Sequence, residues 1–181
     1  MCDWFHKMDC YILAGGKTNR ERDFENVGED IQLARSFRRY AAIFDRVKLV
    51  IKSDQASEHY LNFPHVCDNF ARTNTMVGVA TALEDADSDA VFIGSSAIAD
   101  FPPKLLVDLV KRYKGEQFLG YYDCKRSRDS RQMFFGIYDK RLARKLIDGE
   151  DTADAIASLI GDEVTLIPLP EDVDSRLIGI K

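Results

Sequence analysis

An α/β fold is predicted here, three-layered and Rossmann-like, with a mostly parallel sheet covered by helices on both faces. Three observations predict it. Short apolar runs alternate with segments of helical period along the 181 residues. The runs are mostly apolar, broken by few polar residues such as Lys48, as in strands buried on both faces. The first run, Cys10-Tyr11-Ile12-Leu13-Ala14, enters Gly15-Gly16 directly, as a buried strand entering a tight turn does.

After that strand, Leu33, Phe37, Tyr40 and Phe44 recur at spacings of four, three and four, which predicts a helix with one apolar face. Residues 47–51 are a β-branched second strand, and 90–93, preceded by the acidic stretch 84–89, are another. Between them, 76–83 carry a helical pattern. Pro102-Pro103 open a helix with Leu105, Leu106, Leu109, Val110 and Tyr113 on one side, proline suiting a first turn where its missing N–H is not needed. A strand over 118–122, a polar basic loop, a strand over 133–138, helices near 140–147 and 152–160, and a strand over 164–168 complete the order. Ligands in such sheets bind beyond the carboxyl ends of the strands, so the turns after Ala14, Ile51, Cys67 and Ile93 are the expected site.

The length suits one domain over 1–181, with 1–9 as an N-terminal extension. A hydrophobic share of 45% and a charged share of 30% are those of an ordinary globular chain; neither a membrane span nor a secretory signal is expected, and a cytoplasmic location follows. Cys2, Cys10, Cys67 and Cys124 lack metal-ligand spacing and are expected as free thiols. His6, His59 and His65 share no catalytic spacing, and Ser95-Ser96 lack the Gly-x-Ser-x-Gly elbow of a hydrolase. A net charge of −5 argues against a nucleic-acid binder, so an anionic ligand must meet a local positive site. Two clusters qualify: Lys17, Arg20 and Arg22, and Lys125, Arg126, Arg128 and Arg131.

In the turn Gly15-Gly16-Lys17-Thr18-Asn19-Arg20, glycine lets backbone N–H groups approach a phosphate, while the spacing is neither a Walker loop nor a dinucleotide fingerprint. Together, Leu13-Ala14-Gly15-Gly16-Lys17-Thr18-Asn19-Arg20 resemble the opening Leu-x-Gly-Gly-x-x-x-Arg of the MobA-like nucleotidyltransferases, the molybdenum cofactor guanylyltransferases. Residues 21–28, Glu-Arg-Asp-Phe-Glu-Asn-Val-Gly, align with the family's Asp-Lys-x-Phe-x-x-Val-Gly once three loop residues are dropped, so that Arg22 stands for the family lysine. Val66-Cys67-Asp68 fall on the strand that ends in a base-reading aspartate, and 132–138 resemble Gln-Pro-Leu-Phe-Gly-Leu-Tyr. The following Gly-Pro-Leu-x-Gly survives only as Asn74-Thr75-Met76-Val77-Gly78. Residues 175–180 resemble the last family strand, and the chain stops where an Asn-Thr-Pro-Glu-Asp run on the second substrate's side would begin.

The resemblance implies transfer of GMP from GTP to molybdopterin with release of pyrophosphate. Leu13, Ala14, Gly15, Gly16 and Lys17 would cradle the nucleotide, Arg20 and Arg22 would offset developing charge, and Asp68 would read guanine. The family's magnesium is held by the aspartate of Cys-Asp-x-Pro. Ungapped alignment puts Ala97 at that position, leaving Asp100 of Asp100-Phe101-Pro102 as the candidate ligand, at the cost of a strand extension and a matching deletion. Two other functions stay open: a catalytically weakened nucleotide-binding homologue with a regulatory or partner-binding role, and a transferase acting on a sugar or alcohol phosphate. The sequence does not assign an oligomeric state.

Overall fold

The computed structural model describes residues 8–14, 20–27, 30–52, 58–68, 75–125, 131–147, 158 and 164–180. β1 (Asp9–Leu13) leads to the short helix α1 (Arg20–Asp23) and a small antiparallel hairpin of β2 (Asn26–Val27) and β3 (Asp30–Ile31). Then come α2 (Gln32–Ala41), β4 (Val47–Lys52), α3 (Glu58–Leu61), β5 (His65–Asp68), α4 (Thr75–Asp85), β6 (Ala90–Ser95) and α5 (Pro103–Arg112). The rest is β7 (Phe118–Tyr122), β8 (Arg131–Asp139), a 3₁₀ turn (Lys140–Leu142) running into α6 (Ala143–Ile147), β9 (Val164–Pro168) and a final 3₁₀ turn (Ser175–Ile178).

Seven strands form one sheet in the order β5-β4-β1-β6-β8-β7-β9, and β8 runs against both its neighbours while the other pairs are parallel. The carboxyl ends of β4, β5, β1, β6, β7 and β9 therefore share one edge, as the mostly parallel prediction requires. Alternation along each strand divides the core. Cys10 and Ile12 of β1 pack with Leu33, Tyr40, Leu105 and Leu109 of α2 and α5, whereas Tyr11 and Leu13 pack with Val79, Ala80 and Leu83 of α4. Both faces are buried, and each fully buried Leu, Ile or Phe contributes roughly 1.5–3 kcal/mol.

The helix read through Phe44 ends at Ala41; a turn with Ala42 N–H on Arg38 and Phe44 N–H on Tyr40 then carries Phe44 into the core, stacked on Phe92 at 5.3 Å. Residues 175–180 are not the last strand that the resemblance implied. Asp174 caps a 3₁₀ turn there by accepting from Arg176 N–H, and Gly179 closes it at φ 78°, a left-handed conformation incompatible with a strand. The helix expected over 152–160 lies outside the described residues except for Ser158, which is helical.

Candidate functional site

The shared carboxyl edge is built on β1 and β6. Ser96 N–H donates to Leu13 C=O (3.0 Å), and Ala14 N–H donates to Val50 C=O (3.1 Å), so β1, β4 and β6 are still joined where the chain leaves the sheet. Ser96 C=O accepts from Gln32 Nε2 (3.2 Å) and Ser36 Oγ (2.6 Å), both on α2. Ser95 Oγ accepts from Ala97 N–H (3.3 Å). These bonds fix the backbone around position 97 without any carboxylate.

β4 and β5 reach further, their last pair Lys52 and Asp68 lying two residues past the row that contains Leu13 and Val50. Asp68 is buried, its carboxylate 3.0 Å from the Lys52 ammonium, with side chains 3% and 16% exposed. Parity puts both on the α4 face, with Leu13, Val50 and Val66. Lys52 went unnoticed in the sequence because it ends an apolar strand with no motif around it. A carboxylate has about four lone-pair sites, more than one ammonium uses.

Gly15, Gly16 and Lys17 lie outside the described residues. Arg20 opens α1, and Arg22 is exposed one residue before the buried Asp23. Asp23 accepts from Tyr60 Oη of α3 (2.9 Å), and Phe24 packs on the same ring at 4.9 Å. This clasp places α1, and with it Arg22, relative to the segment before β5; no periodic pattern marks α3 in the sequence.

Asp100, the candidate metal ligand, is ion-paired. β6 stops at Ser95 without the strand extension that Asp100 requires, and the half-exposed carboxylate is ion-paired with Arg35 of α2. Among the described residues no group of three or more His, Cys, Asp or Glu is arranged to hold a metal ion.

Of the second basic cluster, Lys125 donates from Nζ to Glu171 C=O (3.0 Å), Arg126 and Arg128 lie outside the described residues, and Arg131 begins β8. Lys125 and Asp123 border an open recess of about 400 Å³ beyond β7 and β9, with Glu171 and Asp172 opposite. Cys10 is buried, its thiol pushed up by desolvation and by neighbouring Asp9; Cys67 is partly buried, Cys124 is exposed, and all three are free thiols. His65 turns Nδ1 to Phe63 C=O (2.9 Å), a local contact. No helix among the described residues is long and apolar enough to cross a membrane.

The fold has counterparts among known proteins. The chain is 26% identical over 177 residues to the probable molybdenum cofactor guanylyltransferase of Aquifex aeolicus, covering 94% of this chain and 84% of that protein. A crystal structure of an Aquifex aeolicus protein superposes with a TM-score of 0.74 at 23% identity, covering 97% of this chain and 94% of the other. Molybdopterin-guanine dinucleotide biosynthesis protein A from Archaeoglobus fulgidus gives a TM-score of 0.71 at 14% identity, covering 89% and 83%. The family model of the MobA-like NTP transferase domain matches residues 10–163, nearly the whole sheet, and the chain belongs to that family.

Proposed function

We propose that the protein binds a guanine nucleotide along the carboxyl edge and transfers GMP from GTP to a phosphorylated, molybdopterin-like acceptor. The observation that carries this reading is the buried Asp68, paired with Lys52 at the end of β5, on the edge that also carries the exit of β1. The N1–H and amino group of guanine form one donor edge, which a carboxylate accepts and which adenine does not present. In the transfer, a terminal phosphate oxygen of the acceptor forms a bond to the α-phosphorus of GTP. The α–β bridging bond breaks in line, and its electron pair leaves with pyrophosphate. The protein's part is positioning and charge: Leu13 and Ala14 lead into the Gly15-Gly16-Lys17 turn that would hold the phosphates, and Arg20 and Arg22 would meet the developing negative charge.

Magnesium, which the family implies, does not fit the described residues well. Position 97 is alanine, and the nearest following acid, Asp100, is held by Arg35. No step is therefore assigned to a metal, and nucleotide binding is expected to depend weakly on magnesium. The same alanine favours a second reading, a nucleotide-binding homologue that transfers slowly and acts through a partner. A sugar or alcohol phosphate is the other acceptor class compatible with the fold.

Thermal unfolding of the full chain with GTP, GDP, ATP, CTP and UTP, with and without magnesium, tests the proposal. GTP and GDP should raise the midpoint most, with little change on adding magnesium. Equal shifts for all five nucleotides would reject guanine selection.

A further inference from the structure

Beside the carboxyl edge, the outer face of α2 carries Arg35, Arg38 and Arg39, with Ala42 one turn on, and the helix holds no acidic residue. Its opposite face buries Leu33, Ser36 and Tyr40. The arginines do not simply radiate into water: with Ala42 and, across from them, Ala99 and Asp100, they line an open recess of about 450 Å³. Arg39 is fixed in place by donating twice to Phe101 C=O (3.3 and 2.9 Å), and its guanidinium lies 5.7 Å from the centre of the Phe101 ring. Arg35 pairs with Asp100 and Arg38 with Asp30, and all four side chains are 41–60% exposed.

We propose that this recess is a second anion site, for a small phosphorylated ligand, distinct from the nucleotide site. Three guanidinium groups face two carboxylates, which leaves one positive charge in excess on a protein of net charge −5. Exposed ion pairs are worth about 0–1 kcal/mol, so a phosphate can displace a carboxylate from Arg35 or Arg38 at little cost. In return it offers more acceptor oxygens to the planar guanidinium forks. The recess has the size of a small-molecule pocket, which favours a phosphorylated metabolite over an extended acidic surface. Occupation frees Asp100 from Arg35, so the ligand and Asp100 compete for one guanidinium.

Calorimetric titration of the full chain with inorganic pyrophosphate tests this. Arg35→Ala and Arg38→Ala should each weaken one class of pyrophosphate site roughly tenfold. Arg35→Lys should weaken it less, and Asp100→Asn should strengthen it by removing the competitor. Arg20→Ala should leave this class unchanged and affect only binding at the glycine turn, so the two proposals fail separately. Pyrophosphate binding that is lost in Arg20→Ala but indifferent to Arg35→Ala and Arg38→Ala would overturn the inference, as would weaker binding in Asp100→Asn. An acidic peptide that binds as tightly as pyrophosphate with the same variant sensitivity would overturn the assignment to a small phosphate.

Discussion

The two ends of the sheet are built differently. At the amino end, polar groups are used up on one another. Buried Asp9 accepts from the N–H groups of Asp87 (2.9 Å) and Ser88 (3.0 Å) and meets Arg46 at 2.6 Å. Tyr11 Oη (2.6 Å) and Lys48 Nζ (2.7 Å) both donate to Asp85, and Lys140 reaches Ala86 C=O. At the carboxyl end, backbone and α2 side chains hold the turn after β6, Asp68 is buried against Lys52, and the arginines of α2 line an open recess. A parallel sheet puts strand starts at one edge and strand ends at the other. One edge can thus be closed for stability and the other kept for binding.

The closed amino edge depends most on Asp9. Asp9→Ala leaves the Asp87 and Ser88 N–H groups without their acceptor and should cost about 2–4 kcal/mol in urea unfolding, with GTP affinity of the folded protein within about twofold of wild type. A large loss of affinity at unchanged stability would reverse the roles of the two edges. At the opposite edge, Asp68→Asn should lower the preference for GTP over ATP roughly tenfold, because an amide cannot accept from two N–H donors along one edge. An intact preference would move base reading to another residue.

The smallest effect concerns pH. Burial tends to raise the Asp85 carboxyl, but hydrogen bonds from Lys48 and Tyr11 outweigh it and hold the group below its ordinary range. A folded value below the unfolded one contributes stability that is present above pH ~4 and lost as pH falls from there through the folded value. Because Asp85 is partly exposed, the contribution should stay under about 1 kcal/mol. The stability gap between wild type and Asp85→Asn, measured by urea unfolding, should therefore be widest at neutral pH and shrink by pH 3. A gap that widens in acid would contradict this sign.

Much of the sheet was legible because a strand buried on both faces is written as an apolar run. Residues 118–122 and 164–168 were bounded as observed, and β1, β4 and β6 within two residues. The reversed direction of β8 was not legible, since apolar content does not encode strand polarity. The 3₁₀ turn at 175–178 was missed because residues 175–180 resemble the last family strand, while the deciding features are the Asp174 cap and the φ of Gly179. Asp68 ends β5, where the resemblance puts a strand end. Lys52 and the Arg35–Asp100 pair were not legible: the first belongs to a neighbouring strand, and the second joins residues 65 positions apart.

Under the proposed function, the carboxyl edge handles nucleotide without an acid at position 97. Guanylyl transfer and its magnesium dependence, measured side by side for wild type, Ala97→Asp and Asp100→Ala, test it most directly. Wild type should transfer slowly with weak magnesium dependence, Asp100→Ala should lose nothing further, and Ala97→Asp should transfer faster and depend more on magnesium. Rapid, magnesium-dependent turnover by wild type that Asp100→Ala abolishes would contradict it, and would mean that Asp100 leaves Arg35 to take the metal.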